Sequence, residues 1–198
     1  MNPTERNDTG ARGRRAPPRG FSALTGEFAR QRSGLAAVEF ALLAPLMLLL
    51  YLGSFEVSQA IAIKRQVVLT ASTVANIVTQ YATISAGTDL PDIFNASTTV
   101  LTPYSSANAA VTVSLIGIDA NGNATVTWSR SLHGIARVTG QPVALPASLD
   151  VPNTSLVLGE TAYAYTPLMD FLHMGALDLS SSVYMLPRSS SGTIQLLP

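Results

Sequence analysis

Glu39 is the residue whose type and position could do the most chemistry in this chain. It is the one charged residue between positions 35 and 55, in a run that is otherwise apolar apart from Tyr51 and Ser54. An ionisable group at membrane depth is costly in hydrocarbon and is therefore a functional-site hypothesis by default. The carboxylate predicts a positively charged partner.

Catalytic chemistry has little support elsewhere in the sequence. His133 and His173 are the only histidines, and neither has the spacing of a metal ligand. Asp170 precedes His173 by three residues, but the apolar residues around this pair favour a short helical turn over a catalytic dyad. The chain has no cysteine, so thiol nucleophiles, thiolate metal sites and disulfides are excluded. We therefore predict no enzymatic activity, no metal site and no cofactor.

The apolar run must position Glu39, and it is long enough to cross a membrane. Residues 35–55 number 21, which at about 1.5 Å per residue span roughly the ~30 Å hydrocarbon layer. Pro45 removes one helical hydrogen bond, which transmembrane helices tolerate, so we expect a kink between Ala41 and Pro45 and not a break.

The arginine distribution predicts an orientation. Residues 1–34 carry a net charge of +4 and the remainder −4, although the whole chain is neutral. By the positive-inside rule the N-terminus is cytoplasmic and everything after about Phe55 is on the other side. The basic residues lie in the leader without interleaved aromatic residues, which argues against nucleic-acid binding.

Residues 1–34 are rich in Arg, Pro and Gly, and we expect a disordered cytoplasmic leader. A conventional signal peptide is the rival interpretation, because Ser58, Gln59 and Ala60 form a passable cleavage site. The length of the apolar run and the presence of Glu39 argue against it. Arg14 and Arg15 lie too far from the run for a twin-arginine signal.

Beyond the membrane the helical pattern continues through residues 56–84. No Gly or Pro occurs between Ser54 and Ser85. Apolar residues recur at steps of three and four, which predicts a helix with one apolar stripe that packs on the C-terminal domain. The stripe consists of Val67, Ala71, Val74, Val78 and Tyr81.

Residues 85–198 predict a small β-rich domain. Alternation at Val111–Leu115 and at Val126–Trp128, on either side of Asn121-Gly122, predicts a β-hairpin. A third strand is predicted from Ser155 to Tyr165, with Tyr163 and Tyr165 on one face, and a short fourth one around residues 183–186. Residues 132–152 hold five Gly or Pro residues and predict an irregular connection. The fold class is α+β, with a long N-terminal helix packed on a small antiparallel sheet.

A resemblance to a known family rests on residues 32–45. Gly34, four residues, then Glu39 and Phe40 at the head of an apolar run with Pro45 resemble the opening of TadE/TadG-like pseudopilins of the tight-adherence (Tad/Flp) type IV pilus system. Phe40 stands where relatives often have Tyr. Weaker similarities include Lys64-Arg65 followed by residues 70–76, and residues 160–167.

The resemblance implies a pilin-like fold and cleavage after Gly34 by a prepilin peptidase. The mature chain would begin at Leu35, whose new α-amino group is a natural counter-ion for Glu39 on the same or an adjacent subunit. Glu39 and Phe40 would then be assembly residues. The rival interpretation is that Glu39 snorkels to the interface of an ordinary anchor.

The sequence therefore predicts a minor pseudopilin of a bacterial inner membrane, processed after Gly34 and acting in pilus assembly or secretion. Its partners would be the prepilin peptidase, other pilins and pseudopilins, the inner-membrane assembly platform and membrane lipid. The alternative is an unprocessed single-pass protein whose periplasmic β-rich domain, residues 85–198, acts as a binding or adhesion module.

Overall fold

One long helix, α1, runs from Arg32 to Thr79. The computed structural model describes residues 32–167 and 175–198, with side chains from residue 34 onward. Pro45 lies inside α1 without ending it, as predicted. The predicted leader up to residue 31 and the predicted turn containing Asp170 and His173 lie outside the described residues.

The chain divides into two units, Met1–Tyr51 and Leu52–Pro198. In the first unit, the described part is the apolar start of α1, whose large side chains are exposed: Leu35 is 74% exposed, Leu42 73% and Leu49 59%. The span Gly34–Thr79 contains an 18-residue window with a mean hydropathy of 2.2, no residue of which is buried. Among the described residues this is the one helix long and apolar enough to cross a membrane.

The second unit packs the remainder of α1, residues 52–79, with a four-stranded antiparallel sheet. The strands of this sheet are β2 (Ala109–Ile118), β3 (Ala124–Leu132), β4 (Ser155–Tyr165) and β5 (Leu177–Met185). They lie side by side in the order β3-β2-β4-β5. The α+β fold class is therefore confirmed: a long, apolar N-terminal helix is followed by a small antiparallel sheet.

The predicted hairpin is present as β2 and β3, with one β-bulge between Leu115 and Ile116. Its turn is built by Asp119, whose carboxylate accepts hydrogen bonds from the backbone amides of Asn121 and Asn123, both at 2.8 Å. A hydrogen bond from the side chain of Asn123, together with the two backbone hydrogen bonds, lowers the pKa of Asp119. Gly122 supplies the positive φ of 83° that the turn requires.

The apolar core lies between the sheet and residues 63–78 of α1. Four of the five predicted stripe residues, Val67, Ala71, Val74 and Val78, have no exposed surface. A second apolar layer covers one end of the opposite face of the sheet, where side chains of the 132–152 connection pack on the strands. It contains Ile116, Ile118, Leu156, Leu158, Val143, Leu145, Leu149 and Tyr184.

Gly159 on β4 allows α1 to lie very close to the sheet. A Cβ atom at this position would be 2.4 Å from the carbonyl oxygen of Ala71 and 2.9 Å from the Cβ of Ala75. Both distances are shorter than any ordinary contact, so no larger residue fits without moving the helix backbone. The glycine thus sets the spacing between the helix and the strand.

Three local predictions were incomplete or wrong. Helix α1 ends at Thr79 and not at Ile84, because Thr83–Ser85 form a short strand, β1, which pairs in parallel with β6 (Gln195–Leu197). Asp89–Thr99 form a second helix, α2, within the segment that was predicted to be a β-rich domain, and this helix was not predicted. Strand β5 begins at Leu177, six residues before the predicted 183.

Candidate functional site

The segment that contains Gly34, Leu35, Glu39 and Phe40 forms the first turns of α1. Leu35 and Glu39 are four residues apart and therefore lie on one face of the helix, one turn from each other. Phe40 is 72% exposed, and Glu39 is exposed as well. The helix thus brings the four predicted site residues together on one uncovered segment, while their roles stay predictions.

Glu39 has no ion-pair or hydrogen-bond partner among the side chains that the structure describes, those of residues 34–167 and 175–198. Its described neighbours on the same helical face, Leu35 and Leu43, are both apolar and exposed. Among the described residues, the carboxylate of Glu39 is therefore uncompensated.

A polar contact ties residues 56–59 of α1 to the sheet. The hydroxyl of Tyr165, at the end of β4, donates a hydrogen bond to Oε2 of Glu56 at 2.7 Å. The hydroxyl of Tyr104 donates a longer one, of 3.4 Å, to Oε1 of Gln59. Burial, followed by the hydrogen bond to Glu56, raises the pKa of Tyr165 to about 12. This contact fixes the helix at the point where the apolar run ends.

Lys64 and Arg65 have different environments. The Nζ atom of Lys64 donates a hydrogen bond to the backbone carbonyl of Ser180, on the edge strand β5. Arg65 is exposed on the other side of the helix. An edge strand with free backbone groups is a template for unwanted pairing, and a lysine against it opposes such pairing. Lys64 therefore has a structural explanation and Arg65 remains available for a partner.

Residues 70–76, singled out by their similarity to the family, form the helical surface against the sheet. Ala71, Val74 and Ala75 are buried and surround Gly159. Thr70 is also fully buried, which the stripe did not predict; its hydroxyl donates to the carbonyl of Gln66 at 2.9 Å and so needs no partner on the sheet. This motif is therefore explained by packing.

Arg137 and Glu160 form an ion pair that was not predicted from the sequence. Nε and Nη2 of Arg137 donate to the two oxygens of Glu160 at 2.8 and 2.7 Å, a bidentate pair. The hydrogen bonds and the charge of Glu160 raise the pKa of Arg137 despite its partial burial. No sequence signal identifies this pair, because its members are 23 positions apart on a loop and on β4.

Of the residues considered for catalysis, the structure describes His133, which is exposed on the connection after β3. Asp170 and His173 lie outside the described residues. No group of three or more His, Cys, Asp or Glu residues in the described ranges could hold a metal ion.

Comparison with known protein families gives a match over most of helix α1. Residues 34–76 match the model of the family described as TadE-like protein. The resemblance to TadE/TadG-like proteins of the Tad pilus system is confirmed for these residues, which include Gly34, Glu39 and the Lys64-Arg65 pair. The similarity noted at residues 160–167 lies outside the match. No curated protein and no solved structure matches the chain.

Proposed function

We propose that this chain, as a protein with a TadE-like segment and hence a Tad-pilus-associated protein, is a minor pseudopilin that acts in pilus assembly. TadE-like pilus proteins are structural and not enzymes. The observation that carries the proposal is the carboxylate of Glu39, five residues after Gly34, which no described side chain compensates and which lies at the start of an apolar helix whose most hydrophobic 18-residue window has no buried residue.

The proposal gives Glu39 a counter-ion. Cleavage after Gly34 by a prepilin peptidase frees the α-amino group of Leu35, one helical turn from Glu39 or facing it from an adjacent subunit. An unpaired carboxylate in hydrocarbon is costly, so neutralisation by an ammonium group favours the subunit arrangement that brings the two together. Phe40 then packs beside this pair.

A second surface fits assembly with other pilins. In residues 52–79 of α1, the face of the helix away from the sheet carries exposed apolar side chains. Arg65 lies on the same face. This exposed stripe consists of Val57, Ile61, Val68 and Leu69, which are 59, 58, 39 and 46% exposed. Its spacing of four, seven and eight residues is typical of a helix face that packs against another helix. We expect neighbouring pilins or pseudopilins to contact it.

The processing step is tested by mass spectrometry of the N-terminus after expression with a prepilin peptidase. The parent should lose 34 residues, and Gly34→Leu should block the loss, because a bulky side chain would occupy the position where the peptidase requires a small one. Gly53→Leu is the matched control: it changes another glycine of the same helix, around which a side chain has free space, and should leave processing intact. An unprocessed parent, or one beginning at Ile61, would refute the proposal.

The location is tested with reporter fusions. The charge asymmetry supports an orientation with residues 1–34 in the cytoplasm, residues 35–55 in the inner membrane and the sheet in the periplasm. Alkaline phosphatase fused after Pro198 should be active, whereas a fusion at Gly20 should be inactive. The opposite pattern would overturn the orientation.

A further inference from the structure

An open groove lies on the face of the sheet opposite to α1, in the second unit. Its volume is about 450 Å³, which lies within the ~300–1,000 Å³ of typical small-molecule sites. Its floor is made of small side chains on three adjacent strands, and one wall is the connection that follows β3. The floor residues are Ala110, Thr112, Ala162, Ser180 and Ser182.

The wall of the groove is held firmly in place. After β3 the backbone turns sharply at His133, whose φ of 54° lies in the left-handed region that residues other than glycine rarely adopt. Gly134 then lies so close to the sheet that a Cβ atom would be 2.7 Å from Oγ of Ser131. The backbone amide of Arg137 donates to Oγ of Ser129 at 3.0 Å. Strained backbone of this kind persists where the surroundings fix it, and it is frequent at binding sites.

Charge and hydrogen-bonding capacity limit what this groove can bind. The Arg137–Glu160 pair contributes no net charge, so the groove has no electrostatic preference for an ion. Nη1 of Arg137 makes no hydrogen bond to any described residue and can donate, and the carboxylate of Glu160 can accept. The hydroxyl of Ser182 can do both, whereas that of Thr112 is hydrogen-bonded to Oγ of Ser131 at 2.7 Å and can accept.

An apolar edge completes the site. Ile135 stands at the rim with 95% of its surface exposed, next to the methyl groups of Ala110 and Ala162 on the floor. A ligand with many hydroxyl groups and an apolar C–H face matches both kinds of surface. We infer that this groove binds a neutral carbohydrate of one or two sugar rings, held by Arg137, Glu160 and the floor hydroxyls, with Ile135 against its C–H face.

The inference is independent of processing after Gly34. It is tested with the full chain in phospholipid nanodiscs, because detergents with sugar head groups would compete with the sugar probes for the groove. Saturation-transfer NMR is recorded with maltose, cellobiose and N,N′-diacetylchitobiose as neutral probes, with galacturonate as an acidic probe, and with N-acetyl-trialanine amide as a neutral peptide probe. Transfer to at least one neutral sugar, exceeding that to galacturonate and to the peptide, is the expected result.

Two variants locate the binding. Ala162→Leu fills the floor of the groove and should raise the dissociation constant, obtained by titrating the saturation transfer, about tenfold or more, which corresponds to about 1.4 kcal/mol of binding energy. Ala164→Leu is the matched control, because it places the same exposed side chain on the same strand outside the groove; it should bind as the parent does. Glu160→Gln leaves the charge of Arg137 uncompensated and should shift the preference to galacturonate.

The proposal fails if no neutral sugar receives saturation from the parent. It also fails if Ala162→Leu and Ala164→Leu bind equally, or if galacturonate or the peptide is preferred by the parent. Unchanged fluorescence of the buried Trp128 establishes that each variant is folded.

Discussion

The two parts of helix α1 are both apolar but are arranged differently. In residues 35–50, apolar side chains occupy every face of the helix, and Leu42 and Leu48, on different faces, are both exposed. In residues 63–78, apolar side chains form the buried stripe on one face, while the opposite face also carries polar residues such as Arg65. The comparison teaches that hydrophobicity alone does not predict what covers a helix. Its distribution around the axis does: apolar on all faces suits lipid, and one stripe suits a sheet.

Among the substitutions that test this difference between the two parts of α1, the largest effect is expected from a change at Gly159. Gly159→Ala places a methyl group 2.4 Å from the carbonyl of Ala71, so the part of α1 on the sheet must shift, at a cost of about 3 kcal/mol. Unfolding in urea, followed by the fluorescence of Trp128, measures the loss. The apolar segment that we propose to span the membrane, residues 35–55, needs no contact with Gly159, so extraction of this variant from membranes should require detergent, as for the parent.

Gly87→Ala is the control for this substitution. Gly87 has no atom within 4 Å of its would-be Cβ, and the change should alter the free energy of unfolding by less than ~0.5 kcal/mol. Equal stability of the parent and the Gly159 variant would mean that the helix is not seated on the sheet as described.

The predictable parts of the fold have short-range signals. Strand β4 has the predicted bounds, Ser155–Tyr165, because an apolar run at residues 156–158 marks its start and alternating burial at residues 161–165 marks its end. Tyr163 and Tyr165 share the buried face as expected. The hairpin followed from alternation around Asn121-Gly122. The start of α1 followed from its composition.

The missed parts depend on distant partners. The part of strand β5 that was missed, Leu177–Ser182, contains Asp178 and three successive serines at 180–182, polar residues with low strand propensity that pair because β4 provides a partner. Strand β1 forms because β6, more than 100 residues later, pairs with it. Helix α2 contains Pro91, which looks like a helix breaker but is tolerated in a first turn. The groove was not predictable, because a loop and three strands have to meet to form it.

A substitution in the apolar segment 35–55 should affect the association of the chain with other pilus components and not the folding of the second unit. If Glu39 neutralises an α-amino group when subunits dock, Glu39→Ala should weaken association with other pilus components by ~1–3 kcal/mol. Processing and membrane insertion should be unaffected, because the helix becomes more apolar. Crosslinking yield and pilus number measure the effect, and the urea unfolding of the second unit should match the parent.

Leu43→Ala is the matched control for Glu39→Ala. It truncates an exposed side chain one turn further along the same face and should leave crosslinking nearly unchanged. If the two variants behave alike and like the parent, Glu39 only snorkels to the interface, and the chain is better described as a membrane-anchored binding module.

The smallest effect is expected where the apolar run ends, at the hydrogen bond from Tyr165 to Glu56. Tyr165→Phe keeps the ring and removes the bond, so the parent should be more stable by about 1 kcal/mol at neutral pH. The pKa of Tyr165 is raised to about 12 in the folded chain, against an ordinary value of about 10. Folding therefore favours the protonated hydroxyl, and its contribution is complete below pH 10 and is lost as the pH rises towards 12. Urea unfolding at several pH values should show the difference between parent and variant shrinking over this window, and a difference that is constant or grows would contradict the assignment of the bond.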